Sequence, residues 1–186
     1  MNTGLKDLIY ILPACVLLLF IGCFGSPKVN KYTEMKTVTY VDIERFMGDW
    51  YVIANIPTFI EKGATNAIES YKMGPTGAIE TTFTFFKDSP NGDKKTYRPT
   101  GFIKNKETNA EWRMQFLWPF KMPFLIIDLD EEYTYTVIGI PSRKYVWIMA
   151  RASSMNDTLY NGILSQLSDL GYDISLIQKI PQDWDS

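Results

Sequence analysis

Apolar and polar residues alternate with a period of two along most of this chain, a pattern that predicts strands. The segment 111–116 is the sharpest case: Trp112, Met114 and Phe116 share one parity, and Glu111, Arg113 and Gln115 the other. Ile79, Thr81, Phe83 and Phe85 likewise oppose Glu80, Thr82 and Thr84, as in a strand with one wet face. The same reading predicts strands over 50–56, 67–73, 96–104, 124–129, 133–140 and 144–151, with Pro99 weakening the fourth in the series. Turn-forming runs separate them, among them Gly74-Pro75-Thr76-Gly77 and Ser89-Pro90-Asn91-Gly92-Asp93. About eight strands at hairpin spacing predict an all-β sandwich or barrel.

The period changes in three places. Asp42 to Phe46 predicts a short helical turn that Gly48 ends. After Arg151, Leu159, Ile163, Leu167 and Leu170 recur every three or four residues, predicting one helix that Gly171 ends and that Ser154 and Asp157 cap. A last short strand is expected over 176–179. Near the start, residues 8–21 are almost wholly apolar, but this run is interrupted by Pro13 and falls short of the roughly 20 residues needed to cross a bilayer. The polar stretch 26–36 suits an extended, mobile tether.

Composition narrows the chemistry. The chain has no histidine, which removes the commonest general base and metal ligand, and its only cysteines are Cys15 and Cys23. A metal site, a cofactor and nucleophilic catalysis are therefore not expected, and the chain is read as a non-enzyme. With 19 basic against 21 acidic residues, nucleic-acid binding is not expected either. Aromatic residues make up 15% of the chain, a large apolar lining for one small domain.

Leu17-Leu18-Leu19-Phe20-Ile21-Gly22-Cys23 resembles a bacterial lipoprotein signal. The resemblance implies that residues 1–22 are removed, that Cys23 is acylated and becomes the N-terminus, and that the chain is anchored to a membrane without spanning it. Phe24 stands where an aspartate would retain such a protein in the inner membrane, so the outer membrane is the implied address. The 164 remaining residues suit one domain, with 23–36 as lipidated tether and 37–186 as the barrel.

Gly48-Asp49-Trp50-Tyr51, behind a short helical turn, resembles the glycine-x-tryptophan signature of the lipocalins. Asp130-Glu131-Glu132-Tyr133 is similar to the family's second motif, and Trp147-Ile148-Met149-Ala150-Arg151 before a helix is similar to its third. The likeness spans residues 40–180 and is greatest to bacterial outer-membrane lipoprotein lipocalins, which resemble the apolipoprotein D group. It implies an eight-stranded antiparallel barrel with one helix outside, and Arg151 stacked on Trp50 at the closed end. The family's prostaglandin isomerase uses a barrel cysteine that this chain lacks, so its activity does not carry over.

With Trp50 inward, parity assigns the lining to Val52, Ala54, Ala67, Glu69, Tyr71, Ile79, Thr81, Phe83, Phe85, Met114, Phe116, Phe124, Ile126, Tyr145 and Trp147. The implied ligand is a fatty acid or lysophospholipid, since each buried methylene contributes about 0.8 kcal/mol. Glu69 is the exception among apolar neighbours, and it requires a partner such as Arg98 or Arg113, a bulge, or a ligand ammonium. Two other classes stay open: a filled barrel that docks on another protein, and a carboxylate enzyme using Glu69 and Asp128. Homodimerisation is also left open.

Overall fold

The structure is a computed structural model that describes residues 34–184; Cys23, the signal segment and most of the tether lie outside them. Ten strands form one antiparallel sheet: β1 Gly48–Asn55, β2 Ala64–Met73, β3 Ile79–Lys87, β4 Lys94–Tyr97, β5 Thr100–Ile103, β6 Glu111–Leu117, β7 Phe120–Leu129, β8 Tyr135–Gly139, β9 Val146–Ala150 and β10 Gln178–Lys179. From β1 to β9 each strand pairs with the next along the chain, except that β4 and β5 both pair with β3, and β1 pairs with β9 to close the sheet on itself. Pro99, which has no N–H to give to a ladder, divides the expected fourth strand into β4 and β5, both held by β3. The fold is the expected eight-stave barrel, with β10 added beside β1.

A short helix, α1 Ile43–Phe46, closes one end. Asp42 caps it, its carboxylate accepting from the backbone N–H groups of Glu44 and Arg45. Phe46 then enters the barrel and meets the rings of Trp50, Tyr71 and Trp112, with centroids 5.1, 5.6 and 5.3 Å away. Phe124 stacks on Trp112 at 5.0 Å, so five aromatic rings fill the floor. The indole N–H groups of Trp50 and Trp112 donate to the carbonyls of Phe46 and Asn109, so neither ring buries an unpaired donor.

The three family-like segments meet at this end. Arg151 lies over the Trp50 ring at 3.8 Å, and its guanidinium donates to the carbonyls of Arg45, Phe46, Met47 and Asp49. Burial lowers its pKa from the usual range, and the nearby Asp49 offsets part of that. Gly48 has φ +96°, and a side chain there would stand 3.3 Å from the guanidinium. Asp130 folds the β7–β8 hairpin by accepting from the N–H groups of Thr134 and Tyr135. Tyr133 in the same hairpin accepts from the Asp42 N–H at 2.7 Å and carries Arg45 over its ring.

The second helix, α2 Asp157–Asp169, packs Tyr160, Ile163 and Leu167 against the outer face of the barrel, on Ala54, Val137, Val146 and Ile148. Its cap is Asn156, which accepts from the Leu159 N–H, and not the expected pair Ser154 and Asp157. Met35 is buried in the same outer cluster, so packing begins inside the stretch expected to be a mobile tether. Above Tyr51 the sheet parts between β1 and β2, and the C-terminal segment fills the gap: Ile180 donates to Ile53, and Asn66 to Pro181.

Trp50→Ala is expected to destabilise the fold by about 3–5 kcal/mol in urea titration, because it empties a large site in the floor and strips Arg151 of its stacking surface. A variant as stable as the parent would show that the floor does not depend on this ring.

Candidate functional site

Above the aromatic floor the barrel is not filled. A cavity of about 410 Å³ opens at the end opposite α1. Its walls are Phe83 from β3, Tyr97 from β4, Phe116 from β6, Met122 from β7 and Trp147 from β9, and a smaller recess continues it beside Met114, Pro123 and Phe124. Thr58, Phe59, Ile60 and Glu61, in the loop between β1 and β2, form one side of the mouth, with Arg98, Pro99 and Leu117 on the other. This volume separates the structure from a barrel packed solid by its own side chains.

The expected lining divides into three groups. Glu69, Phe83, Met114, Phe116, Phe124 and Trp147 face the cavity or its recess. Val52, Ala67, Tyr71, Ile79, Phe85 and Ile126 also point inward, yet they are buried in the packed interior and do not border the cavity. Thr81 pairs with Tyr71 in that layer, and its buried hydroxyl has no hydrogen-bond partner among the described residues. Two expectations are corrected. The register shifts between Val52 and Ala54, and this bulge turns Ala54 outward against α2. Tyr145 precedes β9, lies outside the ladder, and packs in the outer cluster too.

Other cavity residues escaped the parity argument. Met122 and Tyr97 were within its reach, since β7 begins four residues earlier than the predicted 124–129, and Met122 shares the parity of Phe124. Thr58 to Glu61 carry no periodic signal because they lie in a loop.

Glu69 sits directly across the ladder from Trp50 and Phe83, one inward step above Tyr71, and is only 8% exposed. The Tyr71 hydroxyl donates to its Oε2. Neither arginine expected to pair with it does so: Arg113 lies 3.3 Å from Glu111, and Arg98 is an exposed rim residue. Desolvation raises the Glu69 pKa from 4.5 to about 7, the Tyr71 hydrogen bond opposes the rise, and the charge of Glu61 adds to it. Burial and the adjoining Glu69 also push the Tyr71 hydroxyl well above its ordinary range. Asp128 does not line the cavity; its carboxylate lies 3.4 Å from the Tyr135 hydroxyl, and burial raises its pKa.

The mouth is rimmed by exposed apolar side chains. Phe59 is 84% exposed and Trp118 82%, and Leu117 and Phe120 beside Trp118 are nearly as open. They form an apolar collar around the way in, the kind of patch that soluble surfaces usually avoid. Lys62, Arg98 and Lys121 are exposed among these residues.

Because the folded state keeps a proton on Glu69 that the unfolded chain gives up above about pH 4.5, stability is expected to fall as pH rises from there through about 7. The loss amounts to about 3 kcal/mol at most. Glu69→Gln should flatten this fall in urea titrations across that window; an unchanged slope would mean that Glu69 is already solvated in the fold.

Residues 41–182 match the family model of the lipocalin-like domain. The chain is 29% identical over 159 residues to temperature-induced lipocalin-1 of Arabidopsis thaliana, covering 80% of this chain and 83% of that one. It is 26% identical over 149 residues to outer membrane lipoprotein Blc of Escherichia coli K12, covering 77% and 82%. The corresponding protein of Vibrio cholerae is 22% identical, covering 87% and 91%. Among solved structures, insecticyanin of the tobacco hornworm Manduca sexta superposes with a TM-score of 0.65 at 19% identity, covering 82% and 87% of the two chains. Apocrustacyanin C2 gives 0.62 at 11%, covering 77% and 81%. The closed antiparallel barrel, the outer helix, the Trp50–Arg151 stack and the match over most of the chain place this protein in the lipocalin family.

Proposed function

We propose that this lipocalin binds and carries or stores single-chain lipids, fatty acids or lysophospholipids, in a bacterial cell envelope, while tethered to the outer membrane through acylated Cys23. The observation that carries the reading is the apolar cavity above the floor, open through an apolar rim. Burial of a chain against Phe83, Phe116, Met122 and Trp147 supplies affinity methylene by methylene without a demanding polar geometry. The rim supports the same reading, since Phe59, Leu117, Trp118 and Phe120 can face the lipid surface from which the cargo comes. The lipoprotein-like segment ending at Cys23, and the Blc relatives named as outer membrane lipoproteins, support the tether and the periplasm-facing placement. Upkeep of the membrane's lipid composition is the role that follows.

Phe116→Glu tests the cavity, because it puts a carboxylate among the wall residues while Phe116 remains half exposed and tolerant of change. Titration with a fluorescent fatty acid should show binding weakened at least about tenfold, whereas Gln115→Glu, on the opposite face of β6, should bind as the parent does. Equal affinities in both folded variants would place the lipid elsewhere. Cys23→Ser tests the tether: the chain should leave the membrane fraction or stay unprocessed. Firm membrane retention with the signal removed would show that another surface holds it.

A further inference from the structure

Two buried carboxylates stand in this otherwise apolar cavity, and among the described residues neither is ion-paired with a lysine or arginine. Glu61, on the wall, accepts from four neutral donors. The Asn55 side-chain amide and the Trp147 indole donate to its Oε1 at 3.3 and 2.7 Å, and the Thr58 N–H and hydroxyl to its Oε2 at 2.8 and 2.5 Å. These bonds hold its charge in place without cancelling it. Glu69, on the floor, has Tyr71 on Oε2, while its Oε1 takes no hydrogen bond among the described residues and the side chain borders the cavity. The cavity is thus built to meet something at Glu69, and its field is negative.

We propose that the cavity selects amphiphiles by the charge of their polar end, accepting a protonated amine or quaternary ammonium against Glu61 and Glu69 and disfavouring a carboxylate. The proposal rests on the lipid-carrier reading and narrows its ligand class. A carboxylate brought among these walls adds a third negative charge in a poorly solvated space, whereas a cation turns two unpaired buried charges into paired ones. Phe83, Tyr97 and Trp147 line the same volume, and aromatic rings attract such cations.

The selectivity depends on pH through Glu69. The titratable or charged groups around it are Tyr71 on its own strand, Glu61 from the loop after β1, and Tyr97 and Arg98 at the end of β4; β1, β6, β7 and β9 present Trp50, Met114, Phe116, Phe124 and Trp147, which do not titrate. Arg98, exposed at the rim, draws anions to the mouth but does not neutralise the interior. Since Glu69 ionises near pH 7, cation affinity rises and carboxylate affinity falls as pH increases through that value.

Isothermal titration of the purified full chain with three amphiphiles of one chain length, each below its micelle concentration, tests this: dodecyltrimethylammonium, monolauroylglycerol and dodecanoate. At about pH 8 the ammonium should bind at least about tenfold more tightly than the carboxylate, with the neutral head between them, and the ratio should shrink toward about pH 6. Glu69→Gln should abolish that pH dependence, with monolauroylglycerol as the neutral reference against which any general change in affinity is read. Glu61→Gln should lower the ratio at both pH values; if circular dichroism shows that it does not fold, Glu69→Gln alone decides. Tetramethylammonium should bind at least about tenfold more weakly than the chained cation, and equal binding would point to a site for free cations and overturn the amphiphile assignment. Equal affinity for the three heads, a tighter carboxylate, or an unchanged pH dependence in Glu69→Gln also overturns it. Those outcomes leave the lipid-carrier reading standing, whereas failure of all three chained probes to bind would remove that reading itself.

Discussion

The guanidinium of Arg151 is the contact on which the rest of the barrel depends. It satisfies four carbonyls at the end of α1 and the start of β1, where the helix leaves its last carbonyls without partners of their own. Its planar fork also lies flat on Trp50, so one side chain joins the end of β9, the first turn of helix and the first strand. That junction points Trp50 inward, and since neighbours in a sheet share a face with their partners, its orientation propagates from strand to strand.

Closing one end this way divides the interior. Phe46, Trp50, Tyr71, Trp112 and Phe124 interlock below, where ring volume matches the space between the staves. Above Glu69 the wall side chains do not reach across, and the volume stays open. The transition between packed and empty falls on a carboxyl group hydrogen-bonded to a tyrosine, so the polar chemistry of the cavity is concentrated at its floor and on the Glu61 wall, away from solvent. Removal from water gives these groups their leverage over a ligand's charge, because a charge is poorly screened there.

The outer surface obeys a different constraint. The bulge at Val52–Ala54 turns part of β1 away from the cavity, and the resulting apolar strip on Ala54, Val146 and Ile148 needs a cover. Helix α2 provides it with Tyr160, Ile163 and Leu167, and Met35 completes the layer from the other end of the chain. At the mouth no such cover exists over Trp118 and Phe120 among the described residues.

Alternation along the chain was enough to predict the strands and the outer helix, because each depends on the period of its own segment, and with Trp50 set inward by the family likeness it also assigned the inward parity of Phe83, Met114 and Trp147. The motifs around Gly48, Asp130 and Arg151 likewise made the barrel's closed end legible in the sequence. Parity could say which residues face inward but not how far apart opposite walls stand, so Tyr71 and Phe85, packed against their neighbours, looked the same as Phe83 and Phe116 on the cavity wall. It also failed where the backbone leaves its regular pleat, at Ala54 beyond a bulge, at Tyr145 before its strand begins, and in the loop that carries Glu61 to within 2.7 Å of Trp147. Those outcomes belong to the tertiary structure, since they depend on distances between segments far apart in the chain, such as Glu61 and Trp147 at a separation of 86 residues, and local periodicity holds no information about such distances.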